Sequence, residues 1–144
     1  MPNPIDLDEA LFQRIEYYIV HEKMFLQPRL SREDVTNRVY VPRNKFGQFF
    51  VRFAGTNFVN YVNNLRLDYA VRLLKEHQEY SVEAVARECG IPAPQTFYRI
   101  FVKKYGMTPT EYRKKEQKCP ALQIGMRGSF YMKETEKSAL DSTL

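Results

Sequence analysis

The longest uninterrupted helical pattern in the chain runs through residues 57–76, NFVNYVNNLRLDYAVRLLKE. Two apolar stripes with helical spacing follow one another along it; they consist of Phe58, Tyr61, Val62 and Leu65, and of Leu67, Ala70, Val71 and Leu74. The stripes are offset by nine residues, which at about 100° per residue places them on opposite sides of a helix. Asn57 is a suitable N-cap. We predict a connecting helix whose two faces belong to two small cores.

The connector is flanked by two copies of one sequence pattern. The paired positions are Ser31/Ser81, Val35/Val85, Val41/Ile91, Pro42/Pro92, Phe46/Phe97, Phe50/Phe101 and Gly55/Gly106, with the shift growing from 50 to 51 residues in the turn. Each copy predicts a short helix capped by the serine, about eight residues long in the first copy and ended by Gly90 in the second. A turn at the proline follows, and then a second helix, which starts at about Gln95 in the second copy and ends at the glycine of the repeat. The phenylalanines give that second helix one apolar face. This layout is a helix-turn-helix.

Helices are also predicted before and after the repeats. Asp6 and Glu9 have the spacing of a helix start, and an apolar stripe follows. The stripe consists of Leu7, Leu11, Ile15, Tyr18 and Ile19. Near the other end, Thr108-Pro-Thr-Glu111 combines an N-cap, a first-position proline and a capping glutamate. This motif predicts a last helix that reaches about Lys115.

The pattern divides the chain into four segments. They are a first helix-turn-helix subdomain (1–56), a shared linker helix (57–76), a second helix-turn-helix subdomain (77–115) and a C-terminal extension (116–144). The extension has no sustained hydrophobic period and is predicted to be a poorly defined, loosely ordered tail; a short strand at 128–132 is the alternative. The predicted fold class is therefore all-α, with two helix-turn-helix units joined by a central linker helix.

Composition adds a bias toward a polyanionic partner. The 144 residues are 44% hydrophobic and 27% charged, which is ordinary for a soluble globular chain. The net charge is +5, and because residues 116–144 hold four basic and four acidic side chains, the excess lies in 1–115. Cys89 and Cys119 form no disulfide framework or zinc motif, which favours a reducing cytoplasm. The sequence shows neither a signal peptide nor an apolar run of membrane length.

The second helix of each copy has a solvent face that is largely polar. The outward residues are Arg43, Asn44, Lys45, Gly47, Gln48 and Val51 in the first copy, and Gln95, Thr96, Tyr98, Arg99 and Val102 in the second. In a helix-turn-helix this helix enters the major groove, where Gln can bond adenine and Arg can bond guanine at two positions. Lys103 and Lys104 are placed to hold phosphates. A merely solvated face is the alternative, and the repetition in both copies favours base contact.

These motifs closely resemble the AraC/XylS family of bacterial transcription regulators across roughly residues 7–115. The most specific matches are Ser81-Val-Glu-Ala-Val-Ala86, Cys89-Gly-Ile91, Phe97-Tyr-Arg-Ile-Phe101 and Tyr105-Gly-Met-Thr-Pro-Thr-Glu-Tyr-Arg113, with Phe58-Val-Asn-Tyr61 and Leu65-Arg-Leu67 in the connector. The resemblance implies a DNA-binding domain of seven helices with two homeodomain-like helix-turn-helix units. It also implies double-stranded promoter DNA as the ligand and, as in most members, activation through contact with RNA polymerase.

The resemblance further implies which residues touch DNA. The base-reading positions fall on Asn44, Gly47, Gln48, Gln95, Thr96 and Arg99, while Arg43, Lys45, Tyr98, Lys103, Lys104 and Arg113 are expected to hold phosphates or support the readers. The chain departs from the family's pattern mainly in the first unit, at Thr36, Tyr40 and the mid-helix Gly47, where glycine costs about 1 kcal/mol relative to alanine. Other departures are Pro42, Pro92, Ile91 and Val102. We therefore expect the first unit to discriminate less than the second.

Two other classes of protein compete with this interpretation. An enzyme would need a catalytic constellation, but His21 and His77 lie on helix surfaces or ends without a metal or phosphate-loop motif. Cys89 falls at an inward position. We therefore expect neither an enzyme nor a metal or organic cofactor. A helical module that binds only protein is the alternative function. Many relatives place a sensor domain before this one, so we expect either a stand-alone regulator or the C-terminal output part of a longer one.

Overall fold

The computed structural model describes residues 4–116, with side chains from Leu7 onward, and its regular structure in this range is helical throughout. Seven α-helices follow one another: α1 (Pro4–Glu16), α2 (Arg32–Thr36), α3 (Arg43–Phe49), α4 (Phe58–Glu76), α5 (Val82–Glu88), α6 (Pro94–Tyr105) and α7 (109–116). π-helical turns at Tyr17–His21 and Phe50–Ala54 continue α1 and α3, and a 3₁₀ turn lies at Met24–Leu26. The all-α prediction with seven helices is confirmed. The expected tail, with its alternative strand at 128–132, lies outside the described residues apart from its first position.

Packing divides the described chain into two compact units, and the boundary between them falls inside α6. The first unit ends at Ile100 and the second begins at Phe101. The first unit therefore contains α1 to α5 and the beginning of α6, and the described part of the second contains the end of α6 and α7. The four-segment division predicted above follows the repeat along the chain, not the packing, and it stays a prediction.

The four predicted N-caps are all present. The side chains of Asn57 and Ser81 accept hydrogen bonds from the backbone amides three residues later, at 2.8 Å and 3.1 Å. Ser31 and Thr108 form capping boxes, in which an acidic side chain three residues later accepts a hydrogen bond from the cap amide at 2.9 Å. A cap of this kind contributes about 1 kcal/mol. These caps set where α2, α4, α5 and α7 begin, although α2 then ends at Thr36, after five residues instead of about eight.

The first helix differs from its prediction in two respects. It begins at Pro4, two residues before the predicted start at Asp6; proline is tolerated in a first turn because the amide hydrogen that it lacks would have no partner there. The inward position predicted for Leu7 is also wrong, since this side chain is 54% exposed. Leu7 precedes Ile15 by eight residues and so lies about 80° round the helix from it. The buried stripe consists of Phe12, Ile15 and Ile19.

The first core is largely aromatic and is centred on Phe50. The rings whose centroids lie 5.1–5.3 Å from that of Phe50 belong to Phe12, Phe46, Phe58 and Tyr61. They come from α1, from α3 and from the first half of α4, and most of them meet Phe50 edge to face, an arrangement that aromatic pairs favour. The inward face predicted for the third helix is thereby confirmed.

Both faces of α4 are covered, as the two offset stripes predict. Its first half packs against the aromatic core through Phe58, Tyr61, Val62 and Leu65. Its second half buries Leu67, Ala70 and Leu74 and packs against α5, whose Val85 and Ala86 are buried as well. The linker helix is therefore a structural member of the packing on both sides of it.

A glycine ends α5 in the conformation that the sequence predicts. Gly90 has φ +95°, a left-handed value that a side chain strongly disfavours. After the turn, α6 begins at Pro94, one residue earlier than predicted. In the second compact unit, the ring of Phe101 lies 4.7 Å from that of Tyr105 and 5.8 Å from that of Tyr112, centroid to centroid. These rings pack the end of α6 against α7.

Candidate nucleic-acid interface

The outer face of α3 carries the residues predicted for the first DNA-reading set. Phe46 and Phe49 are buried in the core. The side of α3 that is exposed to solvent carries Arg43, Asn44, Lys45, Gly47 and Gln48. Asn44 and Gln48 are four residues apart and so lie above one another on adjacent turns. Val51, which is 62% exposed, continues the same line into the π-helical turn.

Gly47 lies in the middle of this face without an internal reason for being glycine. A β-carbon built at Gly47 would meet no heavy atom of the described structure within 4 Å beyond its own turn of helix. Its φ is not in the left-handed range, in contrast to Gly55 at +74°. Because glycine weakens a helix interior by about 1 kcal/mol relative to alanine, Gly47 lowers stability and contributes nothing to internal packing.

Two cations beside the α3 surface are paired with one carboxylate. The Lys45 Nζ lies 3.9 Å from one carboxylate oxygen of Asp8, and an Arg52 guanidinium nitrogen lies 3.4 Å from the other. Asp8 belongs to α1, and its side chain is 20% exposed. Ion pairs of this exposure are weak and screened by salt. A phosphate that approached Lys45 would therefore compete with Asp8, a residue that the sequence did not single out.

The outer face of α6 carries the second predicted set. Phe97 is fully buried, whereas Gln95 and Arg99 are exposed and one helical turn apart. Thr96 and Tyr98 are half-buried beside them. The side chains best placed to reach a ligand from this helix are therefore those of Gln95 and Arg99, with Thr96 closer to the packed side than its outward prediction implies.

The side chains expected to hold phosphates in the second helix-turn-helix unit lie at the end of α6 and in α7. Lys103 and Lys104 are exposed in the last turn of α6, and the Lys104 Nζ lies 5.3 Å from the centroid of the Tyr105 ring. Arg113 is half-buried in α7. Two adjacent exposed lysines form a local cationic site that suits a phosphate oxygen.

Cys89 is buried at the end of α5, as its inward position predicts. Its Sγ donates a hydrogen bond to the Ala86 carbonyl oxygen at 3.3 Å, and burial raises the pKa of the Cys89 thiol to about 11. The thiolate is the reactive form, so this thiol is a poor nucleophile near neutral pH. Within residues 4–116, no three histidine, cysteine or acidic side chains are grouped to hold a metal ion. No helix in that range is long and apolar enough to cross a membrane.

Arg66 is a buried cation that the sequence analysis missed. It lies in α4 and is 9% exposed. Its Nε donates to the Phe25 carbonyl oxygen at 2.6 Å, and a terminal nitrogen donates to the Gln27 carbonyl oxygen at 2.5 Å. The sequence does contain a signal for this burial. Arg66 stands between two leucines on a helix that is apolar on both sides, and such a position leaves little access to water.

Two helix-turn-helix units that share α4 and expose polar second helices define a protein of the DNA-binding helix-turn-helix class. A family model described as a helix-turn-helix domain matches residues 35–115, more than half of the chain. The chain belongs to the AraC-type helix-turn-helix family of transcription regulators. This family and fold are those of DNA-binding regulators and not of enzymes.

Individual proteins resemble the chain in sequence and in fold. An uncharacterized helix-turn-helix-type transcriptional regulator of Escherichia coli, YijO, is 33% identical over 106 residues, which are 74% of this chain and 36% of YijO. The DNA-binding domain of AdpA, crystallised with a target DNA, superposes with a TM-score of 0.61 at 24% identity, covering 83% of this chain and 97% of that domain. An AraC-type regulator from Chromobacterium violaceum gives 0.63 at 25% identity, with 74% and 96% covered. The chain spans about a third of the length of the curated relatives it matches.

Proposed function

We propose that the chain binds promoter DNA as a sequence-specific transcription regulator, and that α3 and α6 read two adjacent major-groove segments. One observation carries the proposal. In both units the second helix combines a buried phenylalanine face with an exposed face that presents Asn, Gln or Arg side chains one turn apart. A solvated helix surface needs no such repetition, whereas base recognition needs these side-chain types. The complex of the AdpA domain with a target DNA supports this use of a similar fold.

The exposed side chains have distinct base preferences. The amides of Asn44, Gln48 and Gln95 can each donate to N7 and accept from N6 of an adenine. The Arg99 guanidinium can donate to O6 and N7 of a guanine, and the Thr96 hydroxyl can serve as either donor or acceptor. A good bidentate contact discriminates by about 1–3 kcal/mol against the wrong base. The preferred site should therefore contain a guanine under Arg99.

The remaining cations position the chain on the DNA backbone. Lys103 and Lys104 hold phosphates at the end of α6, and Arg43 and Lys45 do so at α3. Tyr98 and Arg113 support these contacts. The Lys45 Nζ lies 3.9 Å from an Asp8 carboxylate oxygen in the free chain. Lys45 therefore loses part of its attraction to Asp8 when it binds a phosphate. This competition lowers the affinity that Lys45 adds, and it does so equally for all sequences because phosphate contacts carry no base information.

A single chain should read an asymmetric site. The two units are repeats in the same direction along the chain, so no two-fold axis relates them, and a palindromic site is not expected. The connecting helix α4 has 19 residues and so spans about 28 Å, slightly less than the duplex repeat of about 34 Å. We infer that the DNA bends or that one of the two helices enters its groove incompletely.

The wider role follows from the family resemblance. We infer that the regulator acts in the cytoplasm and activates transcription through contact with RNA polymerase. Because the curated relatives are about three times as long as the region that matches them, we also infer that a sensor domain is joined to this one in the full regulator. An inducing signal would then reach the DNA-binding domain from outside residues 4–116.

Selection of binding sites from random duplexes tests the function. The 144-residue chain is incubated with the pool, bound duplexes are recovered and amplified over several rounds, and affinity for the winner is followed by fluorescence anisotropy at increasing salt. We expect one asymmetric sequence to be enriched and affinity to fall steeply with salt, because phosphate neutralisation releases counterions. No enriched sequence together with a flat salt dependence would contradict the proposal and favour the module that binds only protein.

A further inference from the structure

Three separate parts of the chain meet around the guanidinium of Arg66. The Phe25 and Gln27 carbonyl oxygens accept hydrogen bonds from it at 2.6 Å and 2.5 Å, and the Asn63 side-chain oxygen accepts a third at 3.3 Å. Phe25 belongs to the aromatic first core. The guanidinium therefore ties the linker helix α4 to the loop that leaves the first core.

The end of α5 lies against the same loop. A β-carbon built at Gly90 would be 2.9 Å from the Leu26 carbonyl oxygen, 3.1 Å from the Phe25 carbonyl oxygen and 3.1 Å from the Arg66 Nε. These distances leave no room for a side chain, and φ at Gly90 is +95°. The turn that leads into α6 thus rests directly on the backbone of residues 25–26 and on Arg66. We call this meeting of residues 25–27, Arg66 and Gly90 the junction.

Packing alone does not explain an arginine at the junction. The partners of Arg66 within the described residues are two carbonyl oxygens and one amide oxygen, so no carboxylate compensates the buried charge. Burial lowers the pKa of the Arg66 guanidinium, the direction that desolvation imposes on a cation. An apolar side chain of similar length would avoid that cost. It would also remove the donors that the Phe25 and Gln27 carbonyl oxygens accept. The planar fork of arginine supplies both donors and fixes the direction of these hydrogen bonds at once.

We propose that Arg66 is a positioning residue that holds the end of α5 and the start of α6 in register with the first helix-turn-helix unit. Through this register it sets the spacing between the two DNA segments that one chain reads. The expected effect on the spacing of the DNA segments rests on the proposed function. The expected effect on the free protein does not. Arg66 itself touches no DNA in this scheme.

A spacing series of duplexes distinguishes positioning from simple destabilisation. The selected site is prepared with its two segments moved apart or together by one or by two base pairs. Each base pair added or removed rotates one segment relative to the other by about 34°. Wild type should bind one spacing best and lose about tenfold or more one base pair away, a coupling of ordinary size. Arg66→Met should bind the best spacing less tightly and show a profile flattened to within about threefold. A variant that merely unfolds more often would lose affinity equally at every spacing.

Two further variants keep the test decisive if Arg66→Met does not fold. Arg66→Lys retains the charge but not the fork and should give an intermediate profile. Gly90→Ala keeps the guanidinium but places a methyl group 2.9 Å from the Leu26 carbonyl oxygen and 3.1 Å from the Arg66 Nε, so it separates the same surfaces and should flatten the profile too. Arg72→Met is the matched control, because Arg72 is an exposed arginine of the same helix. Its spacing profile should equal that of wild type. A sharp, unshifted profile in folded Arg66→Lys and Gly90→Ala would overturn the proposal.

Hydrogen exchange of the free protein separates failure of this inference from failure of the proposed function. In wild type, α5 and the first core should open together and their amides should show similar protection. In Arg66→Met or Arg66→Lys, α5 amides should exchange at least about tenfold faster than those of the first core. If wild type selects no DNA site but this uncoupling appears, the positioning role stands and the proposed function fails. If protection of α5 and the first core stays equal in every variant, the positioning role is refuted whatever the DNA result.

Discussion

Replacing Gly47 by alanine should raise the stability of the fold and lower its affinity for DNA. A β-carbon at this position meets no heavy atom of the described structure within 4 Å beyond its own turn, so the change relieves the helical cost of glycine without a clash. That cost is about 1 kcal/mol. With a urea dependence of about 1–3 kcal/mol per molar, the unfolding midpoint should rise by about 0.3–1 M.

The effect on DNA binding should have the opposite sign. Gly47 lies between Asn44 and Gln48 on the exposed face of α3, so a methyl group there occupies space next to the proposed base contacts. Crowding of a packed contact by one methyl group typically costs about 1–3 kcal/mol, which corresponds to a roughly fivefold to 150-fold loss of affinity. Fluorescence anisotropy on the selected duplex measures this loss, and urea unfolding followed by circular dichroism measures stability on the same preparation.

Gly55→Ala is the matched control for Gly47→Ala. A β-carbon at Gly55 is equally free of contacts, but its φ is +74°, a conformation in which a side chain costs roughly 1 kcal/mol or more. Gly55→Ala should therefore lower stability and leave the affinity of the folded protein for DNA unchanged. If Gly47→Ala lowered stability, the packing interpretation would be refuted. If it stabilised the fold with unaltered DNA affinity, α3 would not approach DNA through this face.

Four further substitutions have expected outcomes. Arg99→Ala should cost about 1–3 kcal/mol at one base pair and relax the preference there, whereas Lys103→Ala should weaken all duplexes alike and reduce the salt slope by about one; anisotropy on single-base variants of the site separates the two, and an unchanged preference in Arg99→Ala would contradict the assignment. Asp8→Asn should strengthen binding to all sequences at low salt, because it frees the Lys45 cation for phosphates; weaker binding by the folded variant would contradict this. Because burial raises the pKa of the Cys89 thiol from near 9 to about 11, its contribution to stability is complete below about pH 9 and declines as the pH rises through 11. Cys89→Ala should make that decline shallower in urea unfolding, and an identical decline in both proteins would exclude Cys89 as a contributor.

Local chemistry explains which parts of the fold could be predicted. Helix starts could be predicted from N-cap motifs because a cap depends only on residues within one turn of it. These motifs lie at Ser31, Asn57, Ser81 and Thr108. The two faces of α4 follow from spacing alone, since a helix fixes the direction of every side chain once its phase is known. The same reasoning placed the exposed side chains of α3 correctly, and those of Gln95 and Arg99 on α6, because the phenylalanines define the opposite face. Thr96 and Tyr98, also predicted to face outward, are half-buried.

The rest depends on contacts between distant residues. The pairing of Asp8 with Lys45 joins α1 to α3, and its side chains are 37 positions apart in the chain, so no local pattern contains it. The carbonyl oxygens that Arg66 binds lie about forty positions earlier, on residues 25 and 27. Leu7 fits a helical stripe as well as Phe12 does, and only packing against the aromatic core decides between them. Position along a helix can be read from a sequence, whereas a tertiary partner cannot.

The most direct test of reading by two units is the binding of one chain to the selected site with five base pairs inserted between its two segments. Five base pairs turn one segment to the opposite face of the duplex, about half a helical repeat away. Footprinting combined with native mass spectrometry reports both the protected segments and the number of chains bound. We expect one chain on the original site with both segments protected, and loss of joint protection after the insertion. Two chains on the original site, or unchanged protection of both segments by one chain after the insertion, would contradict the proposal.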